Sequence, residues 1–476
     1  SIGKFGGDTD NWIWPRHTGD FSMFRVYASK DNRPAAYSPQ NVPYRPKKHF
    51  SISTKGVKEG DFTMIYGFPG NTQEYILSDA VAYIAERSDP AKIAIRTGRL
   101  DIITKAQESD PALRIHYAAK HASIANAWKK WQGEALGIDR RGTVAAKFDY
   151  ETQFGLWSVG RPEYAGVVMG LRAEYDRIMD AYFAYEITRE TLSTLPAAYT
   201  PEERAEECFA RRKFAEQALW RHAFREYGRC PKVYRTPSYA EGMARYKSPE
   251  AYADALFEAV WEGSDSVAMQ PAVRLREETK RMLDHISWML GTKSLRNLNS
   301  KILNELYTTY IKGLREWDRE RAFYPDANLT LRVAYGSVAG YEYADGEYHK
   351  PQTTLDGIIA KDNPEIYDYD IPQSLRDLYA SKNYGRWGTV IDGRRTVPVC
   401  FLATNHTTGG NSGSPVLNAG GELIGINFDR TWRSTMSDIA FDPAICRNIA
   451  VDIRYVLFVV DRVGGAGYLL KEMTLK

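Results

Sequence analysis

Thr408-Gly409-Gly410-Asn411-Ser412-Gly413-Ser414-Pro415-Val416-Leu417 runs into Ala419-Gly420-Gly421 and then into Leu423-Ile424-Gly425-Ile426. Small residues allow a tight backbone turn here, so the N–H groups of Gly410 and Ser412 can converge on one point. Two such donors would stabilise negative charge developing on an oxygen held beside the Ser412 hydroxyl. Gly413 and Pro415 then return the chain to an apolar strand, and the Ala419-Gly420-Gly421 turn opens a second one. The stretch therefore predicts a β-hairpin that presents a candidate nucleophile, Ser412, with Gly410 as its companion donor.

Moving outward, the apolar pattern changes twice. From Asp20 to about Gly70 it is short-period and β-rich, as in Asp20-Phe21-Ser22-Met23-Phe24-Arg25-Val26-Tyr27 and Phe62-Thr63-Met64-Ile65-Tyr66. From about Ser78 to Ala322, runs rich in Ala, Glu, Arg and Leu carry apolar residues at helical spacing. Thr200 before Pro201-Glu202-Glu203-Arg204 is an N-cap signal, and residues 294–321 align Leu303, Leu306, Tyr310 and Leu314 on one stripe. Strand signals return at 329–333, 397–403, 422–428 and 451–460. The expected division is 1–75 and 325–476 as β segments, interrupted by an inserted helical domain over 76–324.

A chain of 476 residues exceeds one ordinary core, and its 43% hydrophobic and 26% charged residues suit a folded globular protein. A formal net charge of +3 gives no electrostatic footprint for nucleic acid or an anionic membrane. No apolar run is long enough to span a bilayer, and none within this sequence reads as a signal peptide. The chain starts at Ser1 without an initiator Met, and the expectation is that it begins inside a larger protein. Cys208, Cys230, Cys400 and Cys446 lack C-x-x-C spacing, which argues against zinc; a Cys208–Cys230 bridge and free buried thiols both remain open. No metal or cofactor is expected.

A serine needs a general base. Among the eight histidines, His406 would have to fold back over its own loop and reads as structural, and His17 lies beside another candidate, Asp20. The Ser412 loop resembles the nucleophile loop of trypsin-like peptidases. Together with Gly6-Gly7-Asp8-Thr9-Asp10-Asn11-Trp12-Ile13-Trp14-Pro15-Arg16-His17-Thr18-Gly19-Asp20-Phe21, it resembles the two long motifs of the bacterial dipeptidyl-peptidase 7/11 family of serine exopeptidases. The resemblance implies a chymotrypsin-like double β-barrel, its first barrel incomplete here, with an all-helical insertion capping the cleft.

It also implies roles. Ser412 would be the nucleophile and Asp20 the triad carboxylate, with the triad histidine upstream of Ser1, so the chain by itself is expected to be inactive. An exopeptidase that releases dipeptides must hold the free α-amino group at a fixed distance from the nucleophile. A buried carboxylate plus amide oxygens does so, and Asn11, Trp12, Asn126 and Asp429 are implied. At the position of Arg430, an Arg resembles the members that cleave after Asp or Glu, and a Gly those that prefer apolar residues. The implied partners are peptides with a free N-terminus and an acidic second residue, the implied assembly a homodimer, and the implied location periplasmic or at the cell surface. The alternatives are an enzyme of dipeptidyl-peptidase 7 type with apolar preference, or an inactive peptide-binding fragment.

Overall fold

The structure is a computed structural model that describes residues 2–263, 266–292 and 297–476. The chain divides into two compact units, one formed by 1–74 with 326–476 and the other by 75–325.

The first unit is built on one seven-stranded sheet. Its strands are β1 (Phe62–Gly67), β2 (Arg332–Ser337), β3 (Gln352–Thr354), β4 (Pro398–Ala403), β5 (Ser414–Leu417), β6 (Leu423–Arg430) and β7 (Asn448–Asp452). They lie in the order β2-β1-β5-β6-β7-β4-β3 with every pairing antiparallel. All six residues of β4 are buried, so its unbroken Pro-Val-Cys-Phe-Leu-Ala run has no solvent face to alternate with. Val57, Ile65, Val338, Phe401, Val416, Ile424 and Ala450 form the core beneath the sheet. β5 is flanked by β1 and β6, so the strand leaving the Ser412 loop is clamped on both sides.

The two-barrel expectation is met only as mixed β and α structure. The end of β2 meets β4 at a Val338–Ala403 bridge, with the Thr404 N–H donating to Ser337 O at 2.9 Å and the Ala339 N–H to Leu402 O at 3.3 Å; no longer ladder joins the two strands among the described residues, and no closed barrel is seen. Of the expected early strands, β1 joins this same sheet, while Tyr27–Ala28 pairs with Val42–Pro43 over two residues. Residues 20–26 belong to no strand, and Phe24 is 88% exposed: an apolar alternation forms a strand only where a neighbour completes its ladder. The 451–460 expectation fails after Asp452. There the Asp452 carboxylate accepts the Arg454 N–H at 2.9 Å and caps a helix, Ile453–Phe458, in which six residues are buried.

The second unit is helical, with long helices at Asp89–Ser109, Pro111–Arg140, Thr143–Ser158, Val167–Glu190 and Ser266–Leu290. Asp110, extended at φ −156°, breaks the first from the second, and its side chain accepts the Ala112 N–H at 2.7 Å just ahead of the next turn. Leu100, Ile103, Leu113, Tyr117, Ile124 and Leu219 interlock in its core. Thr200 and Glu203 form a reciprocal capping box, yet the helix they open ends after five residues, Pro201–Ala205. The helix expected over 294–321 runs Lys301–Trp317, capped by Ser300; residues 293–296 lie outside the described residues. All four cysteines are buried and free. Among the described residues, no helix is long and apolar enough to cross a membrane.

Candidate active site

Ser412 sits at the exposed tip of the loop entering β5. Its Oγ donates to Phe428 O at 3.4 Å, a long and weak contact. Gly410 has φ +106°, and a Cβ there would stand 2.3 Å from Phe68 O, so only glycine fits both the backbone and the space. Among the described residues, the N–H groups of Gly410 and Ser412 make no hydrogen bond. Three buried asparagines fix the loop. Asn448 Nδ2 donates to Asn427 Oδ1 at 2.9 Å, Asn427 Nδ2 donates to Asn411 O at 3.2 Å, and Asn411 Oδ1 accepts the Thr408 N–H at 3.1 Å. The sequence reading passed over this relay; an Asn inside the apolar strand 423–428 was its only signal.

The register between β6 and β7 shifts between Asn427 and Asp429, leaving Phe428 as an extra residue. Such a bulge re-aims the side chains that follow it. Asp429 Oδ2 accepts from the Trp12 N–H at 3.1 Å and from Arg16 Nη1 at 3.0 Å, while its Oδ1 accepts the Arg430 N–H at 2.8 Å. Trp12 is left-handed at φ +69°, a strained state for a bulky residue, and is pinned by this bond and by the Trp432 N–H on its carbonyl. Burial pushes the Asp429 carboxyl above its ordinary pKa, against the downward pull of Arg16. The structure thus brings Trp12 and Asp429 together and adds Arg16, whose Nη1 also bonds Asp10 O and whose Nε bonds Thr18 Oγ1 at 2.9 Å. Asn11 precedes Trp12 in the same turn, its N–H on Asp8 O at 3.3 Å.

Arg430 is 4% exposed. Its Nη1 and Nη2 grip Asp438 at 2.6 and 2.7 Å, and Nη1 also reaches Ser437 Oγ at 2.8 Å and Thr407 O at 3.2 Å. It stands 5.6 Å from the Trp12 ring. Asp438 ends the tight turn Trp432–Asp438, and its carbonyl accepts the Gln73 N–H at 2.6 Å. His406 lies behind this pair. Its Nε2 is on Ser437 O at 3.0 Å, its Nδ1 is 3.2 Å from Glu74, and its ring stacks on Phe441 at 4.4 Å. Burial lowers its pKa.

No histidine of this unit bonds Ser412 among the described residues. His49 bonds Thr474 Oγ1, and His349 pairs with Glu347. His17 is buried against Gly357, and burial with Lys361 pushes its pKa down to about 4. Asp20 is exposed and makes no hydrogen bond or ion pair among the described residues. Asn126 belongs to the helical unit, on an exposed position of Pro111–Arg140. That unit also brings His116, Glu206 and Cys208 within 4.8 Å of one another, a grouping the cysteine spacing did not suggest. Arg212 Nη1 donates there to His116 Nε2 at 2.6 Å and to Glu206 at 3.1 Å, so a guanidinium already holds these acceptors.

The family model for peptidase S46 matches residues 1–213 and 202–475. An Asp/Glu-specific dipeptidyl-peptidase of Capnocytophaga gingivalis is 42% identical over 100% of this chain and 72% of its own length. A dipeptidyl-peptidase 7 of Phocaeicola vulgatus is 34% identical over 100% of this chain and 71% of its own. The crystal structure of Porphyromonas endodontalis DPP11 in complex with the dipeptide Arg-Glu superposes with a TM-score of 0.83 at 34% identity, covering 100% of this chain and 73% of that one.

Proposed function

The chain belongs to the peptidase S46 family, and from that premise we propose that it is the greater part of a serine dipeptidyl-peptidase that releases dipeptides whose second residue is Asp or Glu. One observation carries the reading: an exposed Ser412 beside two backbone N–H groups, of Gly410 and Ser412, that the fold leaves unengaged. In acyl transfer these donors stabilise the tetrahedral oxyanion, each contributing about 3 to 4 kcal/mol. Ser412 Oγ attacks the scissile carbonyl, and a histidine takes its proton. We place that histidine N-terminal to Ser1, with Asp20 as its orienting carboxylate, in a first barrel that the Tyr27–Ala28 ladder would join.

The α-amino group of the substrate goes to Asp429, Asn11 and Trp12, and Asn126 is kept as a candidate for the same role. A carboxylate offers about four acceptor sites, and three donors occupy Asp429, which leaves one for an ammonium. Arg430 is the cation for the acidic side chain, supported by its burial and by the names of the relatives. The same reading carries a homodimer in the periplasm or at the cell surface. The test is kcat/KM of the whole protein on dipeptidyl substrates differing only in Asp, Glu or Leu at the second residue. Preference for Asp or Glu is expected; preference for Leu would move the enzyme to the dipeptidyl-peptidase 7 type, and no turnover would leave a peptide-binding protein.

A further inference from the structure

Arg430 is buried without being an uncompensated charge. The edge of a guanidinium that carries Nη1 and Nη2 matches a carboxylate bidentately, and in this chain that edge is filled by Asp438 at 2.6 and 2.7 Å. Ser437 Oγ and Thr407 O take further contacts of Nη1. Asp438 is itself fixed, by the turn it ends and by the Gln73 N–H on its carbonyl. Without it, a guanidinium at 4% exposure would lose the carboxylate paired with it and keep neutral oxygens.

We propose that Asp438 is a specificity-determining residue, a resident carboxylate that competes with the acidic side chain of the substrate for Arg430. The inference rests on the reading of Arg430 given above. An incoming Asp or Glu side chain meets a neutral pair rather than a bare cation, and binds by sharing Arg430 with Asp438 or by displacing it. Asp438 therefore weakens the grip on acidic residues and eases their release as product, while an apolar side chain, which has no use for Arg430, is indifferent to it. Removing the charge of Asp438 should tighten acidic binding. A carboxylate that merely positions Arg430 would give the opposite sign, because its loss would loosen the guanidinium.

The experiment uses the whole protein and the Asp438→Asn and Asp438→Ser variants, with the dipeptides Arg-Glu and Arg-Leu as competitive inhibitors of a common substrate. The expected result is an inhibition constant for Arg-Glu lower by about tenfold in both variants, with that for Arg-Leu moving less than about twofold. An Arg-Glu constant that rises or stays put overturns the proposal. So does parallel tightening of both dipeptides; inhibition is read below each variant's melting temperature, because both variants leave Arg430 without its carboxylate and are expected to be less stable. Arg430→Gly separates the two levels. If it leaves the Glu-to-Leu ratio unchanged, the reading of Arg430 falls; if it abolishes the ratio while Asp438→Asn fails to tighten Arg-Glu, only the role of Asp438 falls.

Discussion

The loop at 408–414 and the pocket around Arg430 are adjoining parts of one sheet built by opposite means. The loop is backbone chemistry: glycine at φ +106°, an exposed serine, and N–H groups left unengaged. Around Arg430 the chemistry is mostly that of side chains: a buried guanidinium held by the Asp438 carboxylate, the Ser437 hydroxyl and the Thr407 carbonyl. In the proposed roles, the group that reacts stays accessible, whereas the group that recognises charge is held by a second charge. Substitutions should therefore separate, with the Ser412 side chain carrying activity without stability, and stability and selectivity moving together around Arg430.

The largest effect is expected from Ser412→Ala. In the whole protein it should lower kcat by roughly 10⁴-fold or more, while the melting temperature stays within about 1 °C, since the side chain makes one weak contact. Substantial residual turnover by a natively melting variant would break the assignment. Gly410→Ala comes next. The new Cβ would stand 2.3 Å from a backbone oxygen and force the donor away, costing kcat about 10²- to 10³-fold, with about 1 to 3 kcal/mol of strain visible in urea titration. Full activity there would show that the Gly410 N–H does not face the oxyanion.

Arg430→Gly should change selectivity more than turnover. An acidic side chain would lose its cation and face Asp438 directly, so kcat/KM for Asp relative to Leu should fall by about 2 to 5 kcal/mol equivalents. Asp438, 15% exposed, would also lose its guanidinium, which should lower stability. The ratio is taken within one variant below its melting temperature, so the folded fraction cancels. An unchanged ratio would leave Arg430 a structural ion.

These sites differ in how readable they were. The loop chemistry is local, because glycine, serine and proline at fixed spacing dictate backbone geometry whatever packs around them. The strands at 62–66, 397–403 and 422–428 were legible for the same reason: their apolar runs are bounded by turns. The partners of the charged groups were not. Asp429 meets Arg16 across nearly the whole chain, and the Phe428 bulge that orients it leaves no pattern in the sequence. Arg430 meets Asp438 only because Trp432–Asp438 winds into a tight turn. The run at 451–460 misled because β-branched apolar residues suit a buried helix as well as a strand, and the decision was made by Asp452 capping Arg454.

The smallest effect concerns His406, which stands behind the pocket with Glu74, Asp438, Arg430 and Asp326 as its charged neighbours. Burial holds its pKa below the ordinary value near 6.5, with Arg430 adding to the shift, while Asp438 and Asp326 oppose it without prevailing. The folded state thus prefers the neutral ring. For a group whose folded pKa is depressed in this way, the contribution to stability is complete above the unfolded pKa and is lost as pH falls from there towards the folded value. Acidifying from pH 7.5 to 5 should therefore lower the melting temperature of the unmodified protein more than that of His406→Gln, which cannot take up the proton. The comparison is made between the two curves, because every other titrating group is common to both. Parallel melting curves would show that Glu74 accepts the protonated ring without cost.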